Sequence, residues 1–385
     1  MPKPFLTYEQ QLIKLRDEKH LVINDESAAC CKLRQISYYS LVSGYKHLFR
    51  VPAQKIYKDG TTFEEIVSLY EFDESLRELF LRYLLHIERH IRSLLSYYFT
   101  EKYGESQTAY LTKTNYNYVR KHQQGIDRLV NELQKLTQTT QHSYIAYQRN
   151  TYHNVPLWVL VNALTFGTLS KMYFFFPFDL QSKVSKNFPS VNEKQLGQFL
   201  SVMTKFRNVC AHNERLFSFR SKDAIPDTIL HAKLEIPKER SLYQYGKNDL
   251  FAVVIAFRYL LPKEEFLVFK RVLTSQIDKF LNSTSHISEE ELLNAMGFPE
   301  NWKKSHFIES DYVRRQMPPV KLFFCVILLT GFLRLILHRN FKIALVLGVV
   351  CIGVKGFFFG LFLLFLLHKG VDSAASSQSD QSQYA

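Results

Sequence analysis

The stretch from Thr62 to Gly104 constrains the fold more than any other part of the chain. Thr62 and Glu65 have the spacing of a capping box, in which hydroxyl and carboxylate satisfy the first free amides of a helix. From Leu76 the apolar residues fall at Leu79, Phe80, Tyr83, Leu84, Ile87, Ile91, Leu94, Leu95 and Tyr98. Steps of three and four put them on one helical face, and Gly104 is a natural stop. Asp73 has the character of a cap for a new segment after a break near Phe72. His86, Glu88, Arg89, His90 and Arg92 lie opposite the stripe. Glu88 and Arg92, four apart, admit two readings. One is an exposed ion pair worth tenths of a kcal/mol, and the other is a Glu88 that orients a basic group from across a bundle. His86 and His90 are also four apart, but no third metal ligand accompanies them.

The same reasoning runs along the rest of the chain. Thr7 and Gln10 form another capping-box pair, opening a helix to about Asp17, and a short helix covers Asp25 to Arg34. Between Ile36 and Tyr45 the aromatic spacing and Gly44 indicate a helix pressed against a neighbour, with Tyr38, Tyr39 and Tyr45 in the packing. Residues 105–150 are polar and Gln-rich, with one exposed helix expected from about Asn117 to Leu136 and then a loop. Arg120, Lys121, His122 and Lys135 make this segment basic, which suits solvent or RNA. Pro156 fits a first helical turn. It opens two core helices interrupted near Gly167, with Trp158 in the packing. Residues 225–238 are irregular, and helices follow to Leu261 and over residues 264–281. No period-2 strand pattern appears, so residues 1–310 are expected to be all-α. Walker and Rossmann glycine patterns, His-Glu-x-x-His and the serine-nucleophile elbow are absent from the sequence.

Chemistry concentrates between Phe206 and Phe217, which read Phe-Arg-Asn-Val-Cys-Ala-His-Asn-Glu-Arg-Leu-Phe. The helix leading in has its apolar face at Leu196, Phe199, Leu200, Met203, Phe206 and Cys210, and Arg207 falls within that stripe. A guanidinium is not neutralised by burial, so it needs an anion or several acceptors. Asn208 and His212 are four apart and share a face. One helix end thus offers a permanent cation, an amide and a group titrating near neutrality, which suits a phosphodiester. A regular helix splays Arg207 and His212 by about 140°. Either the helix loosens after Cys210, or the site is completed from a second element or subunit.

This run resembles the Arg-Asn-x-x-x-His signature of the HEPN superfamily. With Ala211, Asn213, Arg215 and Leu216 it looks like the AbiD/AbiF-type abortive-infection family of bacterial phage-defence proteins. Tyr38-Tyr39 with Gly44-Tyr45, Tyr70 to Arg77, Ile87 to Arg92, Pro156 to Trp158 with Phe166 to Ser170, and Met296 to Trp302 are further points of similarity. They extend the resemblance over roughly residues 5–303. It implies an all-α, HEPN-type helical bundle acting as a metal-independent endoribonuclease, in which a 2′-hydroxyl attacks the adjacent phosphate. His212 would be the general acid or base, Arg207 would stabilise phosphoryl charge, and Asn208 would orient His212 or the phosphate. Asn213, Arg215, Glu88 and Arg92 are supporting candidates. No cofactor and no metal ion is implied. RNA would be the substrate, an RNA or protein antitoxin a further partner, and a homodimer with a composite cleft the active form. Two rival readings are a non-catalytic RNA-binding or toxin-regulating module, and a membrane effector acting through its hydrophobic tail.

Charge and tail composition bear on partners and location. The formal net charge is +13, which is compatible with an acidic partner such as RNA, although the basic residues are spread out. Five cysteines without Cys-x2-Cys spacing argue against a disulfide framework or structural zinc and fit a reducing cytosol. The N-terminus lacks the apolar run of a signal peptide. Beyond Pro318-Pro319 the chain turns hydrophobic: residues 320–337 contain Lys321 and Arg334, and residues 343–367 contain only Lys355. The second run is long enough to span a bilayer, so residues 320–367 are expected to form one or two transmembrane helices. This C-terminal anchor would hold the protein at the cell membrane with the catalytic domain facing the cytoplasm. Residues 371–385, rich in Ser and Gln, are expected to be disordered.

Overall fold

In the computed structural model, which describes residues 4–304, local capping chemistry starts most of the helices. Thr7 and Gln10 exchange reciprocal bonds at the head of α1 (Tyr8–Ile13), which continues as a wide π-type turn over Lys14–Glu18. Asp25 accepts from the Ala28 amide to open α2 (Glu26–Gln35). After a π-type turn at Tyr39–Ser43 comes α3 (Phe63–Tyr103), opened by the Thr62/Glu65 capping box and closed at Gly104, whose φ is 86°. The break expected near Phe72 does not occur. Asp73 lies inside this one 41-residue helix with its carboxylate wholly buried. Partners from other segments satisfy that carboxylate, so it has no need of free helix-end amides.

The polar middle of the chain is more helical than its composition suggests. After α4 (Gln107–Leu111), α5 (Gln123–Thr137) buries Ile126, Leu129, Val130 and Leu133, and α6 (Ser143–Tyr152) stands where a loop was expected. Helix α5 is therefore packed and not merely exposed. Gly125 brings it so close that an added Cβ would meet Phe175 at 2.4 Å. The segment from Pro156 divides into α7 (Leu157–Leu160) and α8 (Phe166–Phe175), and the break lies at Leu164–Thr165 because Thr165 caps α8. Gly167 is inside α8. Trp158 and Tyr39, expected in the packing, are 48% and 82% exposed.

The remaining elements close a core around α3. They are α9 (Phe178–Ser185), α10 (Glu193–Ala211), α11 (Ile229–Lys233), α12 (Leu250–Leu260), α13 (Lys263–Leu281) and α14 (Glu289–Met296). Helix α11 stands inside the stretch 225–238 that was expected to be irregular, and a short antiparallel hairpin, β1 (Lys238–Glu239) with β2 (Leu242–Tyr243), follows at its end. Helix α13 runs antiparallel to α3, with Phe280 on Phe72, Phe269 on Phe80, and Glu265 bonded to His86. On α12 every residue from Leu250 to Phe257 is buried, as expected of a helix enclosed between neighbours. Each fully buried Phe or Leu contributes about 1.5–3 kcal/mol relative to exposure.

One carboxylate ties the two ends of this unit together. Glu65 accepts from the Thr62 amide (3.0 Å), the Thr284 hydroxyl (2.8 Å), the Ser285 amide (3.0 Å) and His286 Nδ1 (2.8 Å). Burial alone would push its carboxyl up, but the Thr62 amide, His286, Thr284 and the Ser285 amide together hold it at about 2. A carboxylate depressed in the folded chain stabilises it above the unfolded value of 4.5, and that stability drains away as pH falls toward about 2. Discounted for solvent screening, it is worth about 1–2 kcal/mol. Glu65→Gln is therefore expected to lower the urea midpoint at pH 7 and to flatten its fall between pH 5 and pH 2. A parallel acid profile in both proteins would reject this role for Glu65.

The chain divides into two units, Met1–His306 and Phe307–Ala385. Both apolar segments, at 320–337 and 343–367, and the Ser/Gln tail lie outside the described residues. Among the described residues no helix is long and apolar enough to cross a membrane.

Candidate functional site

Helix α10 carries Leu196, Phe199, Leu200, Met203 and Phe206 into the core and stays regular through Ala211. The His212 amide still donates to the Asn208 carbonyl (2.9 Å). Loosening after Cys210 therefore does not happen, and the splay between Arg207 and His212 stands. The helix closes by a Schellman arrangement. Asn213 takes a left-handed φ of 55°, the Glu214 amide donates to the Val209 carbonyl (3.0 Å), and the Asn213 amide reaches the Cys210 carbonyl (3.4 Å). Asn tolerates this conformation better than most residues with a Cβ, which gives Asn213 a backbone reason to be there.

Arg207 reaches across to α3. Its Nε donates to Glu88 Oε2 (3.2 Å), while Arg92 Nη2 donates to Glu88 Oε1 (2.8 Å) and to the Leu164 carbonyl (3.3 Å). The Glu88 side chain is 4% exposed. The exposed-ion-pair reading of Glu88 and Arg92 is thus corrected: the carboxylate is buried between two guanidiniums, which offset the cost of burying its charge. The Arg207 side chain is about a quarter exposed, and its terminal Nη groups make no hydrogen bond among the described residues. Asn208 and His212 are exposed, and their side chains likewise have no hydrogen-bond partner among the described residues. The structure brings Arg207, Glu88 and Arg92 together, and no bond joins His212 to any of them. Arg215 donates instead to the Gly44 carbonyl, which pins the turn after the signature to the N-terminal segment.

A second cluster, which sequence reasoning missed, holds that turn from beneath. Asp73 accepts from Tyr45 Oη (2.7 Å), Arg77 Nη1 (2.7 Å) and the amides of Leu216 (3.0 Å) and Phe217 (2.7 Å). Arg77 Nη1 also lies 3.5 Å from the Glu214 carbonyl. Burial pushes the Asp73 carboxyl up, against the pull of Arg77 and the three other donors. The available signal was the i, i+4 pair of Asp73 and Arg77 in a helix whose neighbours are apolar. Cys210, within the signature, is buried beside this cluster, and burial pushes its thiol up to about 12, which leaves no thiolate for chemistry near neutral pH. Among the described residues no group of three His, Cys, Asp or Glu side chains is placed to hold a metal ion.

Fold and cluster together define a predominantly helical protein with a basic helix end braced by a buried carboxylate. Residues 31–218 match the family described as Abi-like protein. The match is narrower than the span of roughly 5–303 expected from the sequence, yet it encloses α3 through α10. Tyr45, Asp73, Arg77, Glu88, Arg92 and the whole signature lie within it. No curated protein and no solved structure matches the chain.

Proposed function

We propose that this protein serves in abortive infection, a form of phage defence, as an endoribonuclease of HEPN type. The match of residues 31–218 to the Abi-like family supports the biological role. The reaction is supported mainly by one observation: Arg207 is held through Nε by a buried carboxylate while its two Nη groups make no hydrogen bond among the described residues. That arrangement fixes a cation in place and leaves its planar fork for a phosphate. His212, exposed on the same helix end, moves the proton of the attacking 2′-hydroxyl or the leaving oxygen, and Asn208 orients it or the phosphate. Cleavage is expected to leave a cyclic phosphate end. An RNA carrying a 2′-deoxy nucleotide at the scissile position should resist cutting by the purified full-length chain, and unchanged cutting of it would end this chemistry.

The splay of Arg207 and His212 favours a dimer, in which Arg207 of one chain and His212 of another face one phosphate. Only one such signature occurs in the sequence. Mixing Arg207→Ala chains with His212→Ala chains should then restore part of the activity. No recovery across a range of mixing ratios, with subunit exchange verified, would place both residues in a single chain's cleft.

A further inference from the structure

A shallow cleft away from the signature has the chemistry of a base-binding pocket. It is an open depression of about 520 Å³ where the loop before α5 meets the start of α9, and Thr114, Asn117, Tyr118, Val119 and Phe178 line it. Its shape is fixed by the backbone. The Asn117 amide donates to the Phe175 carbonyl (2.8 Å), the Tyr118 amide to the Tyr116 carbonyl (2.7 Å), and the Val119 amide to the Asn117 carbonyl (2.8 Å). The Tyr118 hydroxyl donates to Asp127 (3.1 Å), which steadies that ring, and Lys113 pairs with the same carboxylate at 2.8 Å. The Asp127 carboxylate is therefore already paired with a cation.

What remains available is an aromatic face, two small polar groups and two cations. Phe178 is 71% exposed and Val119 44% exposed, so the rim offers apolar surface to solvent. The side chains of Thr114 and Asn117 are exposed and have no hydrogen-bond partner among the described residues. Arg120 and Lys121, next in the chain, are exposed and make no ion pair among the described residues. Stacking on an aromatic ring, an amide and a hydroxyl for base edges, and nearby cations for phosphate are the parts from which single-stranded RNA sites are built.

Position links this cleft to the signature. Lys102, near the end of α3, bonds Asp179 (2.6 Å) beside Phe178, and so ties the head of α9 to α3. From Glu88 to Lys102 is fourteen residues, by subtraction of their numbers. On a regular helix that is about 21 Å along the axis and about 40° around it. Glu88, which holds Arg207, and Lys102 therefore lie on nearly the same side of α3. That side of α3 is itself covered at Ile91, Leu95 and Phe99, so a strand seated in the cleft would pass over the outside of the unit to reach Arg207, a span of at least about six stacked nucleotides at about 3.4 Å each.

We propose that this cleft binds an unpaired base of the RNA strand several nucleotides from the scissile phosphate, with Phe178 as stacking platform and Asn117 as edge reader. This rests on the nuclease reading for its purpose, but not for its test. Binding is measured without cleavage, by fluorescence anisotropy of a labelled twelve-nucleotide single-stranded RNA on the full-length chain carrying His212→Ala. Adding Phe178→Ala should weaken binding about 5- to 150-fold, the range for loss of one stacked base. Phe178→Trp should keep affinity within about twofold, since a larger ring still stacks. A duplex of the same sequence should be insensitive to either change. Because Phe178 is exposed, the fold should tolerate both. Equal affinity in the parent and the Phe178→Ala chain, or no binding of single-stranded RNA by the parent at low salt, overturns the proposal. A chain that binds through Phe178 yet never cuts RNA keeps this site and ends the nuclease reading. Cutting that persists with binding indifferent to Phe178 does the reverse.

Discussion

Arg207→Ala and His212→Ala should each lower RNA cleavage and cell toxicity by about 10²-fold or more while leaving the fold intact. The fold should survive because neither change strips a buried charge of its last partner. His212 is exposed without a side-chain bond among the described residues, and Glu88 keeps Arg92 as partner once Arg207 is gone. Activity should not survive, because no other described group combines a free guanidinium fork with an imidazole at one helix end. Glu88→Ala is a graded comparison. It frees Arg207 without removing it and leaves two guanidiniums facing each other, so its loss should be smaller than that of Arg207→Ala. A loss equally complete would mean that Glu88 touches the reacting phosphate. Single-turnover cleavage assays and far-UV circular dichroism on the same preparations separate chemistry from folding. Activity within a few-fold of the parent in either Arg207→Ala or His212→Ala would remove the nuclease assignment from this site.

Local signals carried much of the fold into view before any coordinates. The capping pairs Thr7/Gln10 and Thr62/Glu65 both form as their spacing requires, and the stripe from Leu76 packs as one face of α3, except that Leu94 and Tyr98 are only partly covered while Phe99, outside the stripe as read, is wholly buried. Long-range contacts were harder to read. Asp73 looked like a cap because a carboxylate within a helix normally has only its own turn for company. Its actual partners, Tyr45 and the Leu216 and Phe217 amides, lie 28, 143 and 144 residues away. The same limit hid Glu88. Its spacing to Arg92 was visible, but its burial depended on α10 laying Arg207 across it. Trp158 and Tyr39 failed in the opposite sense, since an aromatic ring indicates packing only where a neighbour exists to cover it. At the site, residue types and the splay of Arg207 from His212 were legible, because helix geometry alone sets them. The roles of Asn213 and Arg215 in shaping and pinning the exit turn were not, because a left-handed φ and a bond to Gly44 are properties of the folded backbone.

Asp73→Ala should be the most destabilising single substitution considered for the helical unit, at about 3–5 kcal/mol. The carboxylate is wholly buried and accepts four bonds, so its removal leaves the buried Arg77 guanidinium without its counter-ion and two interior amides without an acceptor. Breaking one side of a buried ion pair carries that cost because the remaining charge is stranded in a poor dielectric. Each orphaned amide adds about 1–3 kcal/mol in isolation, although neighbouring losses of this kind do not add fully. Against a typical total of about 5–15 kcal/mol, the loss is large enough to abolish soluble expression at elevated temperature. Asp73→Asn keeps one acceptor oxygen and the side-chain shape, so it should fall between the parent and the alanine variant. Urea titration of the full-length chain gives the magnitude, and hydrogen exchange locates it. The Leu216 and Phe217 amides should lose protection first, because their acceptor is the group removed, and the exit turn that follows His212 should loosen with them. A midpoint shift equivalent to less than about 1 kcal/mol, or undiminished protection at both amides, would show that this turn is held by packing and by the Arg215 bond to Gly44 instead.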